Sequence, residues 1–248
     1  MGKIIAISNH KGGVGKTTSA INLGAGLARK GKKCLLVDVD PQANLSQSLG
    51  VFDHQPSIYN ALKGEGGLEV LKVQKKMYLV PATGDLGGVE QELAAEAGRE
   101  FILKELLQPL MDDFDYIFID CPPSLGLLTI NAFTAAQEVY IPMQAQYLAM
   151  QGIGKLLGLV EKIQKRLNPD IAITGIFITQ FDRRKVLNRY VLETLESHFG
   201  DKVFKTRIRN NVSLAEAPNE GLDIFSYHPA SNGAFDYGKL AKEVISRS

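Results

Sequence analysis

Short apolar runs alternate with longer stretches of helical period from one end of the chain to the other. The runs are short enough to be buried strands, whereas the stretches between them repeat apolar residues every three or four positions. The predicted strands are Lys3–Ser8, Lys33–Val39, Met77–Pro81, Tyr116–Asp120, Glu138–Met143, Ile171–Thr179 and Val203–Ile208. The predicted helices are Lys16–Lys30, Ile58–Leu62, Gly88–Ala97, Arg99–Met111, Leu125–Ala136, Met150–Leu167, Val186–Phe199 and Phe235–Ser246. Strands separated by helices imply crossover connections, so we predict an α/β fold with a mostly parallel, twisted sheet and helices on both faces.

The composition is consistent with an α/β fold and excludes several other classes of protein. The chain has 248 residues, of which 45% are hydrophobic and 22% are charged, and it contains no linker, repeat or low-complexity tract. We therefore predict one domain over residues 1–248 and exclude a collagen, a coiled coil, a disordered chain and a disulfide scaffold. Cys34 and Cys121 lie in apolar runs and are expected to be buried thiols. No stretch resembles a signal peptide or a membrane span, so we expect a cytoplasmic protein.

A glycine-rich loop between the first strand and the first helix carries the chemistry. Its sequence is Lys11-Gly12-Gly13-Val14-Gly15-Lys16-Thr17-Thr18. Glycines let consecutive backbone N–H groups converge on phosphate oxygens, and a helix N-terminus attracts anions. In such a loop Lys16 reaches the β and γ phosphates and the Thr17 hydroxyl is a ligand for Mg²⁺. The loop therefore predicts binding of a nucleoside triphosphate with magnesium.

This loop departs from the ordinary phosphate-binding pattern, because His10 stands where the first glycine would be and Lys11 adds a second lysine. The form K-G-G-x-G-K-T resembles the deviant Walker A loop of the ParA/MinD family of ATPases. That resemblance implies a P-loop NTPase fold and a homodimer in the ATP-bound state. It also implies that Lys11 crosses the dimer interface to the phosphates held by the other subunit, and that bulk at Gly12 or Val14 would block closure. A cation supplied in this way stabilises charge on the transferred phosphoryl group.

Three aspartates lie at or next to the carboxyl ends of predicted strands, where parallel sheets bind ligands. Asp38 and Asp40 lie in Leu36-Val37-Asp38-Val39-Asp40-Pro41, and Asp120 ends the run Tyr116-Ile117-Phe118-Ile119-Asp120. Both segments resemble further signatures of the family. By that resemblance Asp40 positions or polarises the attacking water and contributes to the metal site, Asp38 supports the loop and the metal shell, and Asp120 holds Mg²⁺ through water. Lys11, Lys16 and Asp40 are thus the catalytic candidates, and Thr17, Asp40 and Asp120 are the metal candidates.

A segment near the C-terminus, Thr206 to Pro218, resembles the part of the family that contacts the adenine base. Asn211 matches the family's asparagine, whereas Arg209 stands in place of its proline and Asn210 in place of its arginine. We expect Asn211, with Arg209 beside it, to complete the nucleotide site. The sequence lacks an N-K-x-D guanine motif, so ATP is favoured over GTP.

The net charge of +1 argues against a uniformly basic nucleic-acid-binding protein, but it hides a local asymmetry. Residues 182–209 contain eight Lys and Arg residues against four acids. Such a patch binds phosphates without reading sequence. The DNA-contact candidates are Arg183, Arg184, Lys185, Arg189, Lys205, Arg207 and Arg209.

The resemblance is closest to the ParA branch, which implies an ATPase that segregates plasmid or chromosomal DNA. Its ATP dimer would bind the nucleoid non-specifically, and a ParB-type partner would stimulate hydrolysis and release. One alternative is a related ATPase that positions a protein cargo on the nucleoid. A second is a MinD-like membrane regulator, which needs a basic amphipathic tail that we do not find after the last predicted helix. Metal-cluster carriers and small-molecule kinases share the fold but need cysteines or an acceptor pocket that the sequence does not indicate.

Overall fold

The computed structural model describes residues 2–146 and 149–247, and the predicted α/β architecture is confirmed. One sheet has the strand order β3-β4-β2-β5-β1-β6-β7. The strands are β1 Lys3–Ile7, β2 Cys34–Asp38, β3 Leu71–Gln74, β4 Met77–Val80, β5 Tyr116–Asp120, β6 Glu138–Gln144 and β7 Ala172–Thr179. All paired strands run parallel except β3, which pairs antiparallel with β4 at the edge of the sheet.

The α-helices include short segments that flank the loops. They are α1 Lys16–Ala28, α2 Asn44–Ser48, α3 Ile58–Leu62, α4 Val89–Glu92, α5 Ile102–Leu107, α6 Leu127–Ala135, α7 Ala149–Arg166, α8 Val186–Phe199, α9 Ser213–Glu216, α10 Ile224–Tyr227 and α11 Asn232–Arg247. Within the described residues no helix is both long enough and apolar enough to cross a membrane.

Alternate residues of each central strand enter two separate cores. In β1, Ile5 and Ile7 pack with α1 and α11 on one face, whereas Ile4 and Ala6 pack on the other face under α5, α6 and α7. This explains why the strands read as continuous apolar runs, since both of their faces are covered by helices. The cysteines predicted to be buried, Cys34 and Cys121, are fully buried free thiols in these cores.

The strand register places the predicted signatures at one edge of the sheet. Ile7, the last residue of β1, pairs with Asp120 of β5, and Asp120 in turn pairs with Asp38 of β2. The loop that follows β1 and the acidic ends of β2 and β5 are therefore neighbours in space, although they are far apart in the sequence. This edge holds the candidate site.

One predicted strand was wrong, and one strand was not predicted. The segment Val203–Ile208 runs beside β7 but makes only isolated bridges at Val203 and Arg209. The N–H groups of Phe204 and Ile208 donate to carbonyls of β7, but those of Lys205 and Thr206 donate to the Glu243 carboxylate at 2.6 and 2.9 Å, which interrupts the pairing. Strand β3, by contrast, was missed.

Two helix predictions were too long. The predicted helix Arg99–Met111 is helical only over Ile102–Leu107 and continues as a 3₁₀ turn over Gln108–Leu110, since Pro109 cannot continue the α-helical hydrogen bonds. The predicted helix Gly88–Ala97 is reduced to Val89–Glu92. The other long helices agree with prediction to within about three residues, which is ordinary for helix ends.

Candidate nucleotide-binding site

The glycine loop is held in shape by side chains from the ends of β6 and β7. Gln144 and Gln180 both donate through Nε2 to the carbonyl of Gly13, at 2.7 and 3.2 Å, and the Thr179 hydroxyl donates to the carbonyl of Val14 at 2.7 Å. Gly13 and Gly15 have φ of +72° and +87°, a backbone conformation that favours glycine. The carbonyls are thus occupied, while the first N–H groups of α1 have no acceptor within the helix and are available to an anion.

Beside this loop is a cleft of about 420 Å³. It is lined by Gly12, Gly13, Gly15, Lys16, Thr17, Thr18, Asp40, Gln42, Asn44, Pro123, Gln180, Pro218 and others. Lys16 is only 7% exposed. Its ammonium lies 3.5 Å from the carbonyl of Lys11. A buried ammonium under a loop of backbone donors is suited to a polyphosphate, which brings several negative charges to one place.

The pair Thr17 and Asp120 has the geometry expected at a magnesium site. The Thr17 hydroxyl donates to Asp120 Oδ2 at 2.6 Å, and the other oxygen, Oδ1, is buried without a hydrogen-bond partner. Burial, followed by the charge of Asp38, raises the pKa of Asp120 well above its usual value. A divalent cation fits here, since it would stabilise the buried carboxylate and satisfy its unpaired oxygen.

Within the described residues, no group of three or more His, Cys, Asp or Glu side chains is arranged to hold a metal alone. Mg²⁺ commonly takes one or two protein oxygens and completes its shell with water and substrate phosphates. Thr17 and Asp120 therefore fit magnesium that arrives with a nucleotide.

Replacing Asp120 by Asn is expected to weaken magnesium-dependent nucleotide binding while stabilising the ligand-free chain. Because the folded pKa of Asp120 is raised, ionisation costs folding free energy, and stability falls as the pH rises from about 4 through that raised pKa. An uncharged asparagine at this position would remove the cost at pH 7 and raise Tm by about 2–4 °C for each kcal/mol relieved. Thermal unfolding at pH 4 and pH 7, without magnesium or nucleotide, measures the effect.

For the same variant, a titration of magnesium in the presence of nucleotide should show affinity lower by about 10-fold or more. Exposed Asp112→Asn is the control and should change neither property. A Tm difference between Asp120→Asn and the parent chain that does not grow with pH would contradict the assignment.

Asp38 and Asp40 have different environments. Asp38 is fully buried and accepts three hydrogen bonds, from the Ser46 N–H and hydroxyl at 2.9 and 2.7 Å and from the Asp40 N–H at 3.2 Å. Burial raises its pKa to about 6 despite those bonds. Asp40 lines the cleft, and its carboxylate accepts the Gln42 N–H at 3.0 Å. Asp38 thus anchors the loop, and Asp40 is the carboxylate presented to the cleft.

The other lysine, Lys11, lies on the outer side of the loop. It is exposed, it does not line the cleft, and its ammonium donates to Gln146 Oε1. Gly12 is exposed beside it. Val14 is only 2% exposed, so its side chain is buried within the subunit, and a block to dimer closure by bulk at this position stays a prediction.

The predicted base segment forms a second cavity, of about 230 Å³, next to Gly15 and Thr18. Asn211 lines it, and its buried Oδ1 has no hydrogen-bond partner, which suits a donor such as an exocyclic amine. Arg209 also lines this cavity, but its guanidinium is bound by Asp236 of α11 through two parallel hydrogen bonds, at 2.9 and 2.7 Å. The Asp236 carboxylate raises the pKa of Arg209. Arg209 therefore fixes the segment to α11. The side-chain oxygen of Asn211 remains unpaired and can accept a hydrogen bond from a base.

Some of the remaining candidates for DNA contact have exposed side chains, whereas others are bound by acidic or carbonyl groups of the protein. Arg183, Lys185, Arg189 and Lys205 are exposed. The Arg184 side chain is 90% exposed although it pairs with Asp182 at 3.0 Å. Arg207 is different, since its side chain is 15% exposed and bonds both the Phe204 carbonyl and the Glu196 carboxylate. Arg207 and Arg209 are thus structural cations, and the freely accessible charge lies at the start of α8 and at Lys205.

Sequence reasoning did not find Gln144, Thr179 and Gln180, whose side chains shape the glycine loop. They occupy the ends of β6 and β7 without a motif of their own. Gln180 has φ of +51°, which is uncommon for a residue with a side chain and is frequent at functional sites. Only the topology, which brings β6 and β7 beside β1, reveals these side chains.

Comparison with known proteins agrees with this geometry. A family model described as "AAA domain" matches residues 2–173. The chromosome-partitioning ATPase Soj of Treponema pallidum is 48% identical over 250 residues, which cover 100% of this chain and 98% of that protein. The chromosome partitioning protein ParA of Caulobacter vibrioides is 41% identical over 252 residues, which cover 99% of this chain and 94% of that protein.

Solved structures are similar over the same length. One, of cobyrinic acid a,c-diamide synthase from Mycobacterium smegmatis with bound ADP and magnesium, has a TM-score of 0.86 and 36% identity, covering 99% of this chain and 94% of that chain. Another, of the cell division ATPase MinD from Pyrococcus furiosus, has a TM-score of 0.83 and 30% identity, covering 100% of both chains. The predicted family is confirmed: the chain belongs to the ParA/MinD family of P-loop ATPases.

Proposed function

We propose that this protein is a ParA-type partition ATPase, which hydrolyses ATP with magnesium and segregates plasmid or chromosomal DNA. The observation that carries the proposal is the placement of two lysines on opposite sides of one phosphate loop. Lys16 lies inside the cleft, while Lys11 is exposed on the outer side. A cation that lies outside its own cleft, on the exposed side of the loop, is placed to act on the phosphates of a second subunit. We take residues 1–248 as one such ATPase domain.

In this mechanism the chain's own groups act on the triphosphate of the substrate. The N–H groups at the start of α1 and the Lys16 ammonium bind the phosphates, and Asn211 accepts a hydrogen bond from the adenine. Thr17 and Asp120 would hold magnesium, which when bound neutralises charge on the phosphate oxygens. Asp40 orients the attacking water, and Lys11 of the other subunit stabilises the charge that develops on the transferred phosphoryl group.

Dimer formation follows from this arrangement, because a complete site needs Lys11 from a second copy. Binding of ATP brings the two subunits together and hydrolysis separates them. A ParB-type DNA-binding partner stimulates hydrolysis. Sedimentation of the protein with ATP, with ADP and without nucleotide tests the cycle: we expect a dimer with ATP only, and a monomer in all three states would overturn the proposal.

The basic surface at the start of α8 supports non-specific DNA binding and nucleoid association in the ATP-bound state. Arg183, Lys185 and Arg189 are exposed. Two subunits would present the surface twice, which strengthens weak phosphate contacts. A modest patch suits a protein that must bind DNA in one nucleotide state and release it in the other.

Reversing three of these charges, in Arg183→Glu, Lys185→Glu and Arg189→Glu combined, is expected to lower DNA affinity with ATP by about tenfold or more at moderate salt. The dependence of log K on log salt should flatten by about 3, since each phosphate that the protein no longer neutralises removes about 0.9 from the slope. Filter binding over a salt series measures both values.

A matched control reverses three exposed lysines elsewhere, Lys72, Lys75 and Lys104, with the same change in net charge. It should keep most of the DNA affinity, because its charges lie away from α8. If the α8 variant still binds DNA like the parent protein while the ATP dimer forms, the proposed surface is wrong. An ATP dimer that binds no DNA at all would contradict both the proposed function and the related alternative of a protein cargo positioned on the nucleoid.

A further inference from the structure

A chain of hydrogen bonds joins the Lys11 ammonium to the glycine loop through two glutamines at the end of β6. Lys11 Nζ donates to Gln146 Oε1, Gln146 Nε2 donates to Gln144 Oε1 at 2.7 Å, and Gln144 Nε2 donates to the Gly13 carbonyl at 2.7 Å. None of these contacts is used by the mechanism above. The chain begins at one catalytic lysine and ends on the loop that binds phosphate.

The direction of these bonds is fixed by chemistry at both ends. An ammonium can only donate and a carbonyl oxygen can only accept, so each glutamine must present its oxygen toward Lys11 and its amide nitrogen toward Gly13. Bonds aligned in one direction polarise one another. The Gln146 N–H also donates to the Gln144 carbonyl at 2.9 Å, so a tight turn keeps the two side chains together.

The backbone of Lys11 is fixed to the same strand. Its N–H donates to Asn9 Oδ1 at 3.0 Å, and Asn9 Nδ2 donates to the Pro142 carbonyl of β6 at 2.9 Å. Both ends of the lysine are therefore held on its own subunit. To reach a second subunit the side chain must leave Gln146, while the backbone can stay in place.

We propose that Gln146 is a positioning residue, which holds the Lys11 ammonium on its own subunit and thereby sets the protein concentration at which the ATP dimer closes. This inference rests on the proposed function, since it takes Lys11 as the group that crosses the interface. The Gln146 amide is neutral and exposed, so its hydrogen bond with the ammonium is weak enough to break when the dimer forms. Closing the dimer exchanges this contact for stronger contacts with phosphate.

Two substitutions of Gln146 change the strength of its contact with the Lys11 ammonium in opposite directions. Gln146→Ala removes the acceptor, and we expect half-maximal dimerisation with ATP at a protein concentration about three- to tenfold lower. Gln146→Glu replaces a neutral acceptor by a carboxylate, and we expect that concentration to rise by about three- to tenfold. Because an exposed ion pair is screened, the effect of Gln146→Glu should shrink as NaCl is raised from about 50 to about 500 mM, which a damaged fold would not do.

Sedimentation equilibrium with a non-hydrolysable ATP analogue measures the midpoint of dimerisation. Binding of a fluorescent ATP analogue far below that midpoint should be unchanged in both variants, which separates a released Lys11 from a distorted glycine loop. Exposed Gln91, changed to Ala and to Glu, provides the matched controls. They should dimerise as the parent does.

The outcomes separate this inference from the function on which it rests. If the parent chain forms no ATP dimer, or if Lys11→Ala dimerises as well as the parent, the proposed function fails. If the parent dimerises through Lys11 but both Gln146 variants match it, the role of Gln146 is overturned. A shift of both variants in the same direction, or a loss of monomeric ATP binding, also overturns it, because either result marks a purely structural residue.

Discussion

Asp40→Ala is expected to bind ATP normally and to hydrolyse it about 10²- to 10⁴-fold more slowly than the parent protein, the range for loss of a group that handles a proton in the transition state. Asp40 lines the cleft, and its carboxylate accepts a hydrogen bond from the Gln42 N–H. Losing this one hydrogen bond leaves Lys16 and the helix N-terminus intact. Single-turnover hydrolysis and equilibrium binding of a fluorescent ATP analogue give the two quantities.

Two further variants test whether the effect belongs to the charge of Asp40. Asp40→Asn keeps an acceptor for Gln42 but loses the carboxylate, so it should be as slow as Asp40→Ala. Asp38→Asn should act mainly on stability, since Asp38 is buried and bonded to Ser46. Normal turnover by Asp40→Ala would remove this residue from the mechanism.

Gly12→Val is expected to fold and bind ATP but to remain monomeric. A Cβ built at Gly12 meets no atom within 4 Å, so the added side chain has room in the isolated subunit. In the dimer the same side chain would stand between two loops that must approach closely. Overpacking of a close contact costs about 1–3 kcal/mol, and two copies would be affected in each dimer. We therefore expect dimerisation to weaken by at least about 10-fold, measured by sedimentation with ATP.

Gly84→Val is the appropriate control for the change to valine. Gly84 is also exposed, and a Cβ there likewise meets nothing within 4 Å. This variant should dimerise as the parent does. Dimerisation of Gly12→Val at the parent's concentrations would be incompatible with a face-to-face arrangement of the two loops.

The site was predictable where the relevant information is local or is fixed by parallel strands. The loop from Lys11 to Thr18 is identified by glycine spacing, and an aspartate that ends a buried strand must reach the same edge of the sheet. Thr17 and Asp120 are 103 positions apart in sequence, yet the β1–β5 register places them in hydrogen-bond contact at 2.6 Å. The order of the motifs in the sequence and the topology of a parallel sheet were together enough to predict this part of the site.

The rest depends on side chains that meet only after folding. The run Val203–Ile208 has the composition of a strand, but the Glu243 carboxylate of α11 captures two of its N–H groups. Strand β3 is reached through a turn at Lys75 and Lys76, where Lys76 has φ of +63° without the usual glycine or asparagine signal.

Charge in the sequence was also an incomplete guide. Arg207 and Arg209 have the same charge as the exposed arginines at the start of α8, but Glu196 and Asp236 engage them. Whether a cation is available to DNA is therefore decided by distant acids. Residue counts along the chain cannot show that difference.

Helix α11 touches the site through two adjacent residues. Asp236 holds Arg209 of the base segment, and the Tyr237 hydroxyl is hydrogen-bonded to Ser19 of α1 at 2.9 Å. Local opening of α11 would therefore loosen both walls of the nucleotide cavity at once. Because a ligand stabilises only the conformations that bind it, ATP must suppress the opening of this helix, and a change that raises the open fraction substantially must lower ATP affinity. The last helix is in this way energetically coupled to the nucleotide without contributing a phosphate ligand.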